Sequence, residues 1–86
     1  MKYTYSDHAR TTAAEREISA EQVELCVDMP DFVERRADGT AHYCKRFDAL
    51  DGRWLRVVVN EQKMPSLIVT VFFDRRLRRT HDDTNR

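Results

Sequence analysis

The sequence predicts an α+β domain in which two N-terminal helices pack on a twisted, mainly antiparallel sheet of four to five strands. Three observations predict it. Between Asp7 and Asp28 the apolar residues recur at helical spacing, whereas from Asp31 to Phe73 the period becomes two. Two Asp-Gly pairs, Asp38-Gly39 and Asp51-Gly52, divide that second half as tight turns. The 86 residues make one domain, expected to span 1–74 with a charged tail over 75–86. A chain of this size buries only ~60% of its unfolded surface, so the core is small.

Taken in order, Lys2–Tyr5 alternates as a short strand with Tyr3 and Tyr5 on one face. Ser6 is placed to cap a helix from Asp7 to about Glu17, with the Asp7 charge favourable in its first turn. Ala9, Ala13 and Ala14 give that helix a thin apolar edge that allows close approach to a sheet. Ser19 and Gln22 have the spacing of a capping box, which opens a second helix running to about Asp28. Val23, Cys26 and Val27 form its buried side, and Pro30 stops it. Phe32–Arg36, Ala41–Leu50 and Arg53–Glu61 then form a meander. Leu55, Val57 and Val59 share one face of its last strand, and Trp54, Arg56, Val58 and Asn60 the other. Leu67–Phe73 is the most apolar strand and is expected at the sheet centre. Its alternation puts Ile68, Thr70 and Phe72 on one face, the surface through which a homodimer would form. Trp54 is expected to pack under the helices or at a sheet edge.

Fifteen basic residues balance fifteen acidic ones, and arginine supplies twelve of the fifteen positive charges. Zero net charge argues against strong non-specific binding to nucleic acid, but it leaves room for a local basic cleft. Arginine suits such a cleft because its planar fork binds phosphate bidentately. No apolar run reaches the length of a signal peptide or membrane span, so the expectation is a cytoplasmic protein with no membrane partner and with Cys26 and Cys44 reduced. The two cysteines and three histidines contain no close ligand pair, so neither a metal nor another cofactor is expected.

Several segments resemble a bacterial family of small domains of unknown function. They are Ser6-Asp7-His8-Ala9 with Arg16 and Ile18-Ser19; Met29-Pro30-Asp31; Tyr43-Cys44-Lys45-Arg46; Leu55-Arg56-Val57-Val58-Val59; and Ile68-Val69-Thr70-Val71. That pattern is in turn similar to the RelE/ParE fold of toxin–antitoxin modules. The chain departs from the family in carrying Thr12 one turn after His8, where arginine is usual, and Glu17 after Arg16, where glycine is usual. The resemblance implies a toxin-like domain, neutralised by an antitoxin protein and acting on RNA or the ribosome as a metal-independent ribonuclease. The alternative is a protein-binding module of the same fold without catalysis.

Such cleavage needs a base for the ribose 2′-OH and cations around the phosphorane. On the resemblance, His8 is the candidate base, because an imidazole titrates near neutrality. Arg16, Arg46 and Arg56 are the candidate phosphate contacts. His42 shares the strand parity of Arg46, and Arg75 and Arg76 open a basic arm; these three are candidate RNA-binding residues. The competing assignment for Arg16 is an ion pair with Asp31 or Glu34.

Overall fold

The computed structural model describes residues 1–82. Its elements are β1 (Tyr3–Tyr5), α1 (Asp7–Glu15), α2 (Ala20–Asp28), β2 (Phe32–Arg35), β3 (Thr40–Phe47), β4 (Arg53–Asn60), β5 (Ser66–Phe73) and a short helical turn α3 (Arg75–Leu77), which runs on as a wider turn over Arg78–Asp82. The fold is α+β. One five-stranded sheet has the order β1-β5-β4-β3-β2, antiparallel throughout except that β1 runs parallel to β5. Among the described residues no helix is long and apolar enough to cross a membrane. Of the expected tail, α3 and the wider turn are ordered elements, and residues 83–86 lie outside the described residues.

The centre of the sheet is β4, not the more apolar β5. Six consecutive residues of β4, Trp54–Val59, are buried because both faces of this strand are covered. On one face α1 and α2 pack. Ala9, Ile18, Val23, Cys26 and Val27 meet Ala41, Tyr43, Leu55, Val57, Val59, Ile68 and Val71 in a single apolar cluster. On the opposite face Trp54, Cys44 and Leu77 form a second cluster with Phe32 against it. Trp54 therefore packs beneath the C-terminal turn rather than beneath α1 and α2; its ring centroid lies 5.8 Å from that of Phe32.

The alternation of β5 is interrupted. Val58 pairs with Thr70 and Val59 with Ile68, which leaves Val69 as an extra, bulged residue. The bulge rotates Ile68 into the helix-side core, where it is fully buried, and leaves Thr70 and Phe72 on the other face. The expected common face of Ile68, Thr70 and Phe72 is thus broken. Ser6 answers the bulge. Its Oγ donates to the Val69 carbonyl at 3.0 Å and accepts from the Ala9 N–H at 3.0 Å. One hydroxyl therefore caps α1 and fastens its start to β5.

α1 stops at Glu15, two residues before the expected end. The Ile18 N–H donates to the Ala13 carbonyl at 2.8 Å and the Glu17 N–H to the Ala14 carbonyl at 3.3 Å, the paired bonds of a Schellman cap. Such a cap needs a left-handed residue, and Glu17 supplies it with φ 56°. Glycine would take that conformation without the steric cost of a side chain. The α2 capping box is present in both directions, Gln22 N–H to Ser19 Oγ at 3.1 Å and Ser19 N–H to Gln22 Oε1 at 2.9 Å. β3 ends at Phe47, short of the expected Leu50, because Asp48–Leu50 coils into a single helical turn. The left-handed pair Asp51 (φ 61°) and Gly52 (φ 76°) then reverses the chain.

Two stability changes follow from these junctions. Glu17→Gly removes a left-handed side chain and is expected to stabilise by about 0.5–1 kcal/mol, a rise of roughly 3–6 °C in the thermal midpoint followed by circular dichroism. Ser6→Ala removes a helix cap and an acceptor's partner together and is expected to cost about 1–2 kcal/mol in the same melt.

Candidate functional site

The second face of the sheet holds a buried guanidinium. Arg56, whose side chain is 7% exposed, donates through Nε to Asp74 Oδ2 at 2.9 Å; the Asp74 side chain is 3% exposed. Its Nη1 reaches Glu34 Oε1 at 3.2 Å and His42 Nδ1 at 3.0 Å. Because a guanidinium can only donate, His42 Nδ1 is the acceptor and its proton sits on Nε2. The four residues come from β2, β3, β4 and the start of the C-terminal segment. Asp74 also caps α3, with Oδ1 accepting from the Arg76 N–H at 2.9 Å, and its own N–H donates to the Trp54 carbonyl at 2.8 Å.

The charges of this group are set by burial and by one another. Burial alone pushes the Asp74 carboxyl up, but the Arg56 hydrogen bond, the Arg76 backbone N–H and both guanidinium charges outweigh it and hold Asp74 below its ordinary value. Glu34 is lowered by hydrogen bonds from Arg36 and then Arg56. His42 is lowered by burial first and then by the charges of Arg36 and Arg56.

Asp74 directs the chain that follows it across an open cleft of about 700 Å³. Arg75, Arg78 and Arg79 of the C-terminal segment line it together with Arg16, at the end of α1, and Arg53, at the start of β4. Trp54, Phe72 and Phe73 supply apolar lining, and Asp51 and Asp74 supply the carboxylates. Arg16, Arg75 and Arg79 form no ion pair with any described residue. All five arginines are exposed, and like charges gathered in one cleft favour the entry of an anion. Leu77, 7% exposed, anchors the C-terminal segment against Trp54 and Cys44.

The residues singled out from the sequence are therefore distributed over three places. Arg16 and Arg75 line the cleft; Arg16 pairs with neither Asp31, which accepts the Arg46 N–H at 2.8 Å, nor Glu34. Arg56 and His42 lie in the buried group, and Arg76 turns back to Asp74 at 3.6 Å. Arg46 pairs with Asp48 and lies across Gly52, where a Cβ would meet its Nη2 at 2.7 Å. His8 stands exposed on α1 outside the cleft lining. Thr12 Oγ1 donates to the His8 carbonyl at 2.8 Å, so its 3.4 Å contact with His8 Nε2 uses an imidazole hydrogen and leaves Nδ1 as the acceptor. Arg78 and Arg79 belong to the basic arm that the sequence reading opens at Arg75, whereas Arg53, Asp51 and the two phenylalanines escape it. The helical spacing of Arg75, Arg78 and Arg79 around Leu77 was the available signal for three of the arginine positions. Among the described residues no group of three or more His, Cys, Asp or Glu side chains is placed to hold a metal ion.

Arg56→Met is expected to cost about 3–5 kcal/mol, because it strands the Asp74 carboxylate; Arg56→Met with Asp74→Asn is expected to recover much of that loss in urea unfolding. All three lowered groups destabilise the fold in acid. His42 contributes stability that is full above its ordinary value of 6.5 and is lost as pH falls through its lowered folded value. Asp74 and Glu34 do the same below their ordinary values of 3.8 and 4.5. The thermal midpoint is therefore expected to fall in two stages on acidification, and His42→Gln to remove the first.

Among curated proteins and among solved structures, none matches the chain. One family model matches residues 5–73, from the end of β1 to the end of β5. The match takes in His8, Arg16, Arg53 and the buried Arg56 and stops one residue before Asp74. The chain belongs to this family, the domain of unknown function DUF4258.

Proposed function

We propose that this domain is a toxin-like module, similar to the RelE/ParE type, that binds and cleaves RNA without a metal ion. The observation that carries the reading is the cleft lined by five arginines, four of them (Arg16, Arg53, Arg75 and Arg79) without an ion-pair partner among the described residues, beside aromatic side chains. Arginine over an aromatic lining is the chemistry of single-stranded nucleic acid binding: charge holds the backbone, and flat groups take the bases.

His8 remains the candidate base on this reading, and Arg16 connects it to the cleft. Eight residues of helical rise separate the two by about 12 Å, roughly two nucleotides of extended strand. RNA seated at Arg16 and running along α1 brings a ribose 2′-OH to His8 Nδ1. The imidazole takes that proton, the 2′-oxygen attacks phosphorus, and the 5′-oxygen leaves and is protonated by water. The products are a 2′,3′-cyclic phosphate and a 5′-hydroxyl. Arg16 holds a phosphate about two nucleotides along the strand and so positions the ribose at His8.

The second reading is a protein-binding module without catalysis. It is favoured by two exposed apolar residues, Leu25 of α2 at 45% and Met29 just past its end at 63%, in a segment that also carries Glu21, Glu24 and Asp28.

The two roles assigned to the RNA site separate in one experiment. Induced expression of the wild-type chain is expected to arrest growth, and the purified protein to cut RNA in the presence of EDTA. His8→Ala is expected to lower cleavage by about 10²-fold or more while retaining RNA affinity in a filter-binding assay. Arg75→Glu with Arg79→Glu is expected to abolish both. Intact RNA after incubation with wild-type protein, together with a protein partner captured through α2, would establish the second reading instead.

A further inference from the structure

Arg53 is held in the cleft by an aromatic ring. Its guanidinium carbon lies 3.7 Å from the centroid of the Phe73 ring. The two residues belong to neighbouring strands: Leu55, two positions after Arg53 on the same face, pairs directly with Phe73. Phe73 is itself packed against the main core, so its ring is a fixed support. Arg53 is exposed and forms no ion pair with any described residue. A guanidinium seated on a ring in this way is constrained by the ring rather than by a carboxylate, and its outer side is left to the cleft.

We infer that Arg53 on Phe73 is a seat for one unpaired nucleobase, so that the ligand of the cleft is single-stranded RNA and not merely a phosphate chain. This inference rests on the RNA reading of the cleft and adds to it the group that is recognised. A planar cation presents its face to a base and its N–H edge to the adjoining phosphate, which a lysine cannot do. Duplex bases are already stacked and paired, so they have no face to offer. Trp54, 6% exposed, is too deeply packed against Phe32 to serve instead.

The test compares a labelled ten-nucleotide RNA with the same strand carrying abasic riboses at its four central positions, and with a duplex of the same length, by fluorescence anisotropy at low salt. Wild-type protein is expected to prefer the base-bearing strand over the abasic strand by about tenfold. In Arg53→Lys, which keeps the charge, that preference is expected to fall to near unity. Phe73→Leu, which keeps an apolar side chain but removes the ring, is expected to behave alike. Equal wild-type affinity for the two strands, a duplex bound as tightly as the single strand, or an undiminished preference in Arg53→Lys would overturn the base seat while leaving RNA binding intact. Failure of wild-type protein to bind either strand would overturn the RNA reading and the seat together.

Discussion

The burial of Arg56 is the constraint on which the second half of the structure depends. A guanidinium taken out of water is costly unless its donors are met, and no single neighbour can meet them all. Asp74 takes Nε while Glu34 and His42 take Nη1, and each arrives from a different element. The centre of the sheet, its β2 edge and the start of the C-terminal segment are therefore fixed relative to one point charge. Lysine would not suffice, because a single ammonium cannot present separate Nε and Nη edges to ligands on two sides. The direction in which the chain leaves β5, and so the position of the arginines that follow, is a consequence of where Asp74 must sit.

The sheet is covered unequally, and the cleft arises from that inequality. The helix-side face is closed by α1 and α2 and carries most of the apolar core. The other face is closed only where Leu77 settles on Trp54 and Cys44. A chain of this size lacks the residues to cover both faces completely. Its last helical turn therefore serves as a partial lid, with its apolar residue inward and its arginines at the rim. The bulge at Val69 contributes from the other end. By turning Ile68 inward it allows β5 to feed the main core while still presenting Phe72 to the second face.

Much of this was legible because the signals are local. Capping residues, two Asp-Gly turns and the change of period from helical to alternating placed nearly every element, since each depends on neighbours a few residues away. What was not legible depends on contacts between distant segments. Val69 is chemically an ordinary strand residue, and nothing in its surroundings announces that one residue is surplus. The apolar character of β5 suggested the middle of the sheet, but β1 adds to its outer edge in parallel and β4 takes the centre. Parity placed Arg56 on the correct face. Its burial depends on Asp74 and Glu34, which are eighteen residues later and twenty-two earlier in the chain. Arg53 read as the first residue after a turn, and only the β4–β5 register reveals that Phe73 lies beneath it.

The absence of net charge is a poor guide to what this surface attracts. The molecule extends over 42 × 28 × 18 Å, while salt at physiological strength screens charge over about 8 Å. A phosphate at the cleft therefore responds to the groups that line it, five arginines against Asp51 and Asp74, more than to the net charge of the chain. The local excess of positive charge in the lining is hidden in a sum over the whole sequence. The same screening limits what the arginines achieve alone, because an exposed ion pair contributes little in salt. Affinity in such a cleft has to draw on contacts that salt does not weaken, and Arg53 over the Phe73 ring is a feature of its wall able to make one.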